Sequence, residues 1–144
     1  MKVYVGSDHA GFELKEKLKV YLGSLNHEVE DMGAFELEKF DDYPHFITPV
    51  AQAVAGDKES MGIVLGGSGQ GEAMCANRIS GARAALYYGG NLDIIKTSRM
   101  HNDANILSLG ARFINEEEAE RIVKIFLETP FSGDERHVKR ISEF

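Results

Sequence analysis

The sequence predicts an α/β fold in which helices cover both faces of a doubly wound, five-stranded parallel sheet. Short apolar segments alternate with helical segments about five times, a pattern typical of parallel strands joined by right-handed crossovers. Residues 61–65 are continuously apolar, as expected of a strand buried on both faces. A glycine-rich turn follows that strand, and in such sheets ligands bind beyond the carboxyl ends of the strands.

The elements can be assigned in order along the chain. The helix after Gly11 has apolar residues at helical spacing, and Pro44 can open the next helix because its missing N–H would be unpaired there anyway. The predicted strands cover residues 3–7, 27–32, 61–65, 82–88 and 106–109. Helices are predicted after Gly11, from 44 to about 55, after the glycine turn through 77, from 91 to about 100, and from 115 to a stop at Pro130.

Two further segments complete the assignment. Residues 34–42 are polar and acidic and predict a loop. Asn115, with Glu118 three residues later, predicts a capping box at the start of the last long helix. We expect one domain over residues 1–144, in which residues 131–144 form a basic C-terminal tail.

Composition and charge limit the partners of this chain. A formal net charge of -7 argues against general nucleic-acid binding, which needs a basic surface. No apolar run is long enough to span a bilayer, and a strand that begins at once leaves no room for a signal peptide. The single cysteine, Cys75, cannot form an internal disulfide and fits a reducing compartment. We therefore expect a cytoplasmic protein that binds neither nucleic acid nor membranes.

The glycine turn at residues 66–71, with the sequence GGSGQG, is the strongest local signal of a binding site. Four glycines in six residues let the backbone approach a ligand and point several N–H groups the same way, beside the positive end of a helix dipole. The turn lacks the Gly-Lys-Ser/Thr ending of a nucleotide P-loop, and the third glycine of a dinucleotide fingerprint would fall at Glu72. The alternative is a tight strand-to-helix turn without a ligand.

Glu72 follows the glycine turn, in the first turn of the next helix. A carboxylate there is stabilised in its charged form by the helix dipole, so a surface glutamate is the simplest interpretation. The neighbouring backbone donors favour another role. Enolisation beside a carbonyl needs a base that takes a proton from carbon and donors that hold the developing oxyanion. Glu72 is therefore the candidate proton-transfer base.

Two polar pairs lie close to strand ends. Asp8 and His9 follow the first strand, where Asp8 can accept hydrogen bonds from sugar hydroxyls and His9 can donate to an anion. The alternative is a helix cap beside a structural histidine. His101 and Asn102 precede the fifth strand and can bind sugar oxygens, although an ordinary polar loop is equally compatible. No clustered Cys/His spacing predicts a metal site.

Arginines near the end of the chain are candidates for binding an anion. If the tail is helical, Arg136 and Arg140 share one face, and two guanidinium groups on one face suit a phosphate. Arg112, after the fifth strand, is a third candidate. The alternative is a solvated basic helix that complements its own dipole.

Several motifs together resemble one family. Each is weak alone, but they occur in the family's order over nearly the whole chain. The chain resembles the ribose-5-phosphate isomerase B family, in the group of sugar-phosphate isomerases that also includes galactose-6-phosphate isomerase subunits. The matching motifs are Gly6-Ser7-Asp8-His9-Ala10-Gly11, Asp42-Tyr43-Pro44, Gly66-Gly67-Ser68-Gly69-Gln70-Gly71-Glu72, Ala76-Asn77-Arg78, His101-Asn102-Asp103-Ala104-Asn105, and Arg136-His137 with Arg140.

The resemblance implies a Rossmann-like fold and a homodimer, or a dimer of dimers, with active sites shared between subunits. It also implies interconversion of D-ribose 5-phosphate and D-ribulose 5-phosphate through a cis-enediolate, without a cofactor. One variant of the family uses a cysteine at the end of the third strand as the base, and that position is Gly66 here. The other variant uses a glutamate after the glycine turn, which matches Glu72.

The resemblance further implies a role for each motif. The anion hole would consist of Ser68 and the backbone of Gly67, Gly69 and Gly71, and His101 would assist ring opening.

The remaining motifs would bind the substrate. The residues that would contact the sugar are Asp8, Tyr43 and Asn102. The residues that would hold the phosphate are His9, Arg112, Arg136 and Arg140. The tail at residues 131–144 would dock on a partner subunit, so that its arginines reach across.

Three hypotheses follow for the function. The leading one is a pentose-phosphate isomerase. The second is an isomerase of a six-carbon sugar phosphate or of an unphosphorylated aldose, and the third is a sugar-phosphate binding module without catalysis. Finding Glu72 in place beside the anion hole would weaken the third, because a binding module needs no base.

Overall fold

The structure of the chain is a computed structural model that describes residues 1–144. Five strands alternate with five helices, and a sixth helix follows near the C-terminus. The strands are β1 (Lys2–Ser7), β2 (Glu28–Asp31), β3 (Met61–Gly66), β4 (Ala84–Tyr87) and β5 (Ile106–Gly110). The helices are α1 (Phe12–Ser24), α2 (Pro44–Gly56), α3 (Gln70–Ala76), α4 (Asp93–Asn102), α5 (Glu116–Glu128) and α6 (Glu135–Ile141).

The strands form a single sheet in the order β2-β1-β3-β5-β4, and every neighbouring pair is parallel. From β1 the chain adds β2 on one side and then reverses direction to place β3 on the other side. Strand β4 forms the far edge, and β5 is inserted between β3 and β4. The reversal leaves a crevice between the carboxyl ends of β1 and β3, where ligands bind in open α/β sheets. The predicted α/β class and the parallel five-stranded sheet are confirmed.

The core lies in two layers, one on each face of the sheet. Helices α1 and α5 pack on one face, and α2 and α3 pack on the other. Alternate residues of β3 point to opposite layers: Ile63 and Leu65 belong to the first, and Val64 belongs to the second. All three are fully buried, which explains the continuous apolar run in the sequence.

Two of the predicted helix signals have different outcomes. Pro44 opens α2 as predicted. At the start of α5, the Oδ1 atom of Asn115 accepts the backbone N–H of Glu118 at 2.8 Å. The Glu118 carboxylate does not return to Asn115, because its Oε1 accepts the hydroxyl of buried Tyr87 at 2.6 Å. Half of the predicted capping box therefore forms, since a buried tyrosine hydroxyl needs a partner.

The C-terminal tail is helical over α6, which packs against α4 of the same chain. Just before α6, the backbone N–H of Ser132 donates to the carbonyl of Met100 at 3.1 Å. None of the helices combines the length and the apolar composition needed to cross a lipid bilayer.

Candidate active site

The ends of the three central strands bring the first group of predicted site residues together. Gly66 pairs in register with Gly110, and Leu65 pairs with Ser7, so β1, β3 and β5 end at the same edge. Asp8, the glycine turn and Arg112 follow these three strands directly. The sheet therefore gathers three segments that lie more than forty positions apart in the sequence.

The glycine turn is held against β5 and leaves backbone donors free. The hydroxyl of buried Ser108 donates to the carbonyl of Gly69 at 2.6 Å. Gly69 caps α3 with a φ of 75°, a left-handed conformation that favours glycine. The N–H groups of Gly67, Ser68 and Gly69 have no acceptor in the chain. Three unpaired donors next to each other can hold an anionic oxygen.

Glu72 lies in the first turn of α3 and is 4% exposed. Its carboxyl group occupies the space beside Gly66 where any other residue would carry its β-carbon. The carboxyl group therefore lies at the end of the central strand, next to the glycine turn. A surface position for Glu72, the simplest interpretation of its sequence context, is wrong.

Burial raises the pKa of the Glu72 carboxyl above its ordinary value of 4.5. The N–H of Glu72 lowers this pKa, and the nearby negative charge of Asp8 raises it further. The helix position alone predicted the opposite direction, because a helix N-terminus favours the charged form. Loss of water outweighs that effect here. The result is a carboxyl group that holds a proton more readily than an ordinary glutamate does.

Asp8 and Tyr43 lie close to the same turn. The Oδ1 atom of Asp8 accepts the N–H groups of Ala10 at 2.9 Å and of Gly11 at 3.2 Å, which fixes the carboxylate at the end of β1. The ring of Tyr43 lies against Gly71, where an added β-carbon would come within 2.8 Å of the tyrosine hydroxyl. Asp8 therefore closes the turn that precedes α1 and is not the cap of that helix, whose N-cap residue is Gly11. Its charge still acts on the candidate base.

Arg112 and His9 are the candidate anion-binding side chains of this group. The Nη1 atom of Arg112 lies 3.2 Å from the position of an added β-carbon on Gly67, so the guanidinium group is beside the turn. The Nδ1 atom of His9 lies 2.7 Å from the Oδ1 atom of Asp41. Arg112 makes no ion pair with any carboxylate of the chain, which leaves its charge available.

A second group of predicted site residues forms around α4 and α6. The ring of His101 stacks on the ring of His137, with centroids 4.3 Å apart and planes inclined by 15°. His137 is buried, whereas Arg136 and Arg140 are exposed on the same helix. Asn102 ends α4 and is exposed. The stack therefore joins the helix of the arginines to the helix that carries His101.

Within one chain, these two groups do not interact through the contacts that the structure contains. Helix α4 ends with His101 and Asn102 just before the amino end of β5, whereas Glu72 lies beside Gly66 at the carboxyl end of β3. No hydrogen bond or ion pair connects the α4–α6 group with the residues around Glu72. The structure thus separates His101, Asn102, Arg136 and Arg140 from the other predicted residues.

Asp8, His9 and Asp41 are the acidic and histidine side chains that come closest to a metal-binding geometry. One ligand atom from each lies within 4.8 Å of the others. The hydrogen bonds of His9 with Asp41, and of Asp8 with the backbone, account for their proximity.

Sequence analysis missed two residues that shape the site. Ser108 anchors the glycine turn, and its signal is a single polar residue between Leu107 and Leu109 in an apolar strand. Asp41 binds His9, but it lies in an acidic segment that resembles a solvated loop, and no local signal distinguishes it from its neighbours.

Comparison with known proteins identifies relatives over almost the entire chain. Residues 3–144 match the family described as Ribose/Galactose Isomerase. Ribose-5-phosphate isomerase B of Mycolicibacterium paratuberculosis is 44% identical over 141 residues, which cover 98% of this chain and 87% of that protein. Ribose-5-phosphate isomerase B of Escherichia coli K12 is 38% identical over 143 residues, covering 97% of this chain and 91% of that protein.

Solved structures give the same result. Ribose 5-phosphate isomerase B from Thermotoga maritima superimposes with a TM-score of 0.91 at 45% identity, covering 99% of this chain and 95% of that one. The protein from Mycoplasma genitalium with bound ribulose-5-phosphate gives a TM-score of 0.93 at 34% identity, covering 99% and 92%. The fold is therefore shared with these proteins over nearly the whole chain.

Replacing Gly66 by alanine is expected to lower the free energy of unfolding by about 1–3 kcal/mol, because the new methyl group overlaps the Glu72 carboxyl group. Denaturant unfolding measures this cost. Adding Glu72→Ala should recover most of the loss, and an equal loss in both backgrounds would contradict the contact. Gly23→Ala is the matched control, since a methyl group there meets no atom within 4 Å.

Glu72→Gln is expected to make the protein more stable than wild type at neutral pH. A carboxyl whose pKa is raised on folding binds more protons in the folded state, so its contribution to stability falls as pH rises from about 4.5 through the raised value. Glutamine removes that dependence. Urea unfolding of both proteins at a series of pH values, from acidic to neutral, measures the difference, with exposed Glu59→Gln as control. If the difference in free energy of unfolding between Glu72→Gln and wild type does not widen as pH rises, the raised pKa of a buried Glu72 carboxyl group is contradicted.

Proposed function

The chain belongs to the Ribose/Galactose Isomerase family, and we propose that it interconverts D-ribose 5-phosphate and D-ribulose 5-phosphate through a cis-enediolate without a cofactor. The family match and the relatives confirm the resemblance that was inferred from the motifs, and they confirm that the chain belongs to a family of isomerases. The names of the relatives and the ribulose-5-phosphate bound to the Mycoplasma genitalium protein support this substrate.

One observation carries the mechanism: a buried carboxyl group lies beside three backbone N–H groups that have no acceptor. In the proposed reaction, Glu72 takes the proton from the carbon next to the carbonyl and returns it to the former carbonyl carbon. Between these two steps, the hydroxyl proton of the enediolate passes from one of its oxygens to the other, so that the carbonyl group changes place. A raised pKa suits this exchange, since the same group must accept and then donate the proton. Proton transfer by a positioned side chain contributes about 10²–10⁴-fold to a rate.

The glycine turn would stabilise the negative oxygen that forms during this transfer. The N–H groups of Gly67, Ser68 and Gly69 are free for it, the Ser68 hydroxyl lies beside them, and Gly71 lets Tyr43 approach. Fixed donors of this kind typically contribute about 10²–10³-fold each. Because the chain already holds these donors in place, they need no reorganisation during the reaction.

The substrate would be fixed at both ends. Asp8 and Tyr43 would contact the sugar hydroxyls, while His9 and Arg112 would bind the phosphate from this chain. Anchoring the phosphate keeps the reacting carbons in line with Glu72 and removes much of the entropic cost of the reaction.

A second copy of the chain would complete each site. Arg136 and Arg140 are exposed and remote from Glu72 in their own chain, and His101 and Asn102 belong to the same remote group. In a homodimer, or a dimer of dimers, this group would enter the partner's site, where the arginines bind phosphate, Asn102 binds the sugar and His101 assists ring opening. The acidic chain, with a net charge of -7, would thus form a cationic pocket only at the interface between subunits.

The family description leaves a second substrate open. It names galactose beside ribose, so a six-carbon sugar phosphate is the alternative. A substrate panel decides between the two. We propose a cytoplasmic setting for either reaction, in keeping with the free thiol of Cys75.

Glu72→Gln is expected to lower kcat for ribulose 5-phosphate formation by about 10²–10⁴-fold while KM stays within about threefold, because the amide keeps the shape but cannot carry the proton. A coupled assay of ribulose 5-phosphate measures both constants, and Glu59→Gln serves as the control for loss of a carboxylate. Equal kcat values for Glu72→Gln and wild type would remove Glu72 from the mechanism.

Mixing two inactive variants tests the shared site. Glu72→Gln and the double variant Arg136→Ala, Arg140→Ala should each lose most activity alone. After co-refolding, about a quarter of wild-type activity should return, because half of the dimers are hybrids and one of the two sites in each is intact. No recovery, despite hybrid dimers seen by native mass spectrometry, would place both groups in one chain's site.

A further inference from the structure

The side chain of Asp41 is buried, whereas the other acidic residues of its loop face the solvent. It lies between β2 and α2, beside Phe40, which is 88% exposed, and the exposed Asp42. The side chain of Asp41 is only 7% exposed. Burying a carboxylate is costly unless hydrogen-bond donors replace water, so its contacts need a physical explanation.

Both donors that replace this water come from His9. The Oδ1 atom of Asp41 accepts the backbone N–H of His9 at 2.9 Å, and the Nδ1 atom of the same residue lies 2.7 Å away. An ionised carboxylate can only accept, so Nδ1 carries a proton and donates it. The Nε2 atom is then the ring nitrogen of His9 that remains for a ligand.

No lysine or arginine shares the charge of Asp41. Its only ion pair is with His9, and its Oδ2 atom is buried without any hydrogen-bond partner. The carboxylate is therefore matched to the histidine alone, unlike Asp31, which two lysines bind. A pair of this kind fixes the tautomer and the orientation of an imidazole ring, as carboxylates do for histidines that bind metals.

We propose that Asp41 is a positioning residue for substrate binding: it locks the ring of His9 so that Nε2 is presented to the phosphate. The inference rests on the proposed function, in which His9 contacts the phosphate. If Nε2 is to donate to a phosphate oxygen while Nδ1 donates to Asp41, the ring carries both protons and a positive charge. Asp41 then provides the buried counter-charge for that form.

This arrangement also explains how an acidic loop can border a phosphate site. An unpaired carboxylate near the phosphate would repel it, whereas the charge of Asp41 is directed to the far side of the imidazole ring. The same two contacts hold the loop against the residue that follows Asp8 at the end of β1. Loop position and phosphate affinity are therefore linked through one side chain.

Phosphate affinity measures this role directly. Asp41→Ala should raise KM for ribose 5-phosphate and the inhibition constant of inorganic phosphate each by on the order of tenfold, since a charge-assisted hydrogen bond of this kind is lost. The value of kcat should change less than about threefold, because Glu72 is untouched. Asp41→Asn keeps an acceptor oxygen but not the charge, so its KM and phosphate inhibition constant should lie between those of wild type and Asp41→Ala. Glu38→Ala, in the same loop and exposed, should behave as wild type.

A double-mutant cycle separates positioning from a purely structural role. In a His9→Ala background, Asp41→Ala should weaken phosphate binding no further, because its target is absent. An undiminished effect in that background, or an unchanged phosphate constant for Asp41→Ala, would overturn the proposal. If the alanine variant does not fold, Asp41→Asn carries the same test.

Two readouts keep this inference distinct from the isomerase itself. Imidazole ¹⁵N NMR of wild type, assigned by comparison with His9→Ala, should show a protonated Nδ1 in His9 that Asp41→Asn alters. Calorimetry with inorganic phosphate measures binding without turnover. A wild type that binds phosphate but does not isomerise ribose 5-phosphate would remove the proposed function and leave the Asp41 result standing, whereas unchanged His9 signals in Asp41→Asn would overturn the role of Asp41 alone.

Discussion

The packing of the Glu72 carboxyl group against Gly66 is the contact on which the rest of the site depends. Gly66 is the last residue of the central strand, so the carboxyl group lies in the middle of the sheet edge, between the ends of β1 and β5. The charge of Asp8 acts on it from the end of β1, and Arg112, after β5, lies beside Gly67 of the adjoining turn. Burial at this point sets the direction of the pKa shift and leaves the free N–H groups of the turn as the adjacent donors.

The stack of His101 on His137 is the contact that holds together the other group of predicted site residues, on α4 and α6. It fixes α6 on α4, and so fixes two exposed arginines relative to His101 and Asn102. In the proposed mechanism, each chain carries two separate sets of site residues, and neither set is complete by itself. A two-fold symmetric pair of chains brings unlike sets together twice with one kind of interface, which makes symmetry a requirement of the proposed chemistry.

Periodicity and glycine spacing predicted most of the fold, because the apolar run of β3 and the amphipathic helices are local properties of the sequence. The direction of the Glu72 pKa shift could not be predicted in this way, since it depends on neighbours that only the tertiary structure provides. The same holds for Asp41, whose partner is 32 residues away, and for Glu118, which binds Tyr87 instead of completing its capping box. The positions of strands, helices and turns along the chain were thus easier to predict than the contacts between side chains that are distant in sequence.

The contact between Gly66 and Glu72 also restricts how sequences of this family can diverge. In the variant that the motifs distinguish, a cysteine stands where this chain has Gly66, and its β-carbon would occupy the space of the present carboxyl group. Changing from one base to the other then takes two substitutions. If the cysteine comes first, its β-carbon overlaps the Glu72 carboxyl group; if the carboxyl group is lost first, the proposed proton-transfer base is lost with it. The two chemistries are therefore separated by an epistatic barrier, and the residue at position 66 should forecast the one at position 72 across descendants of either lineage.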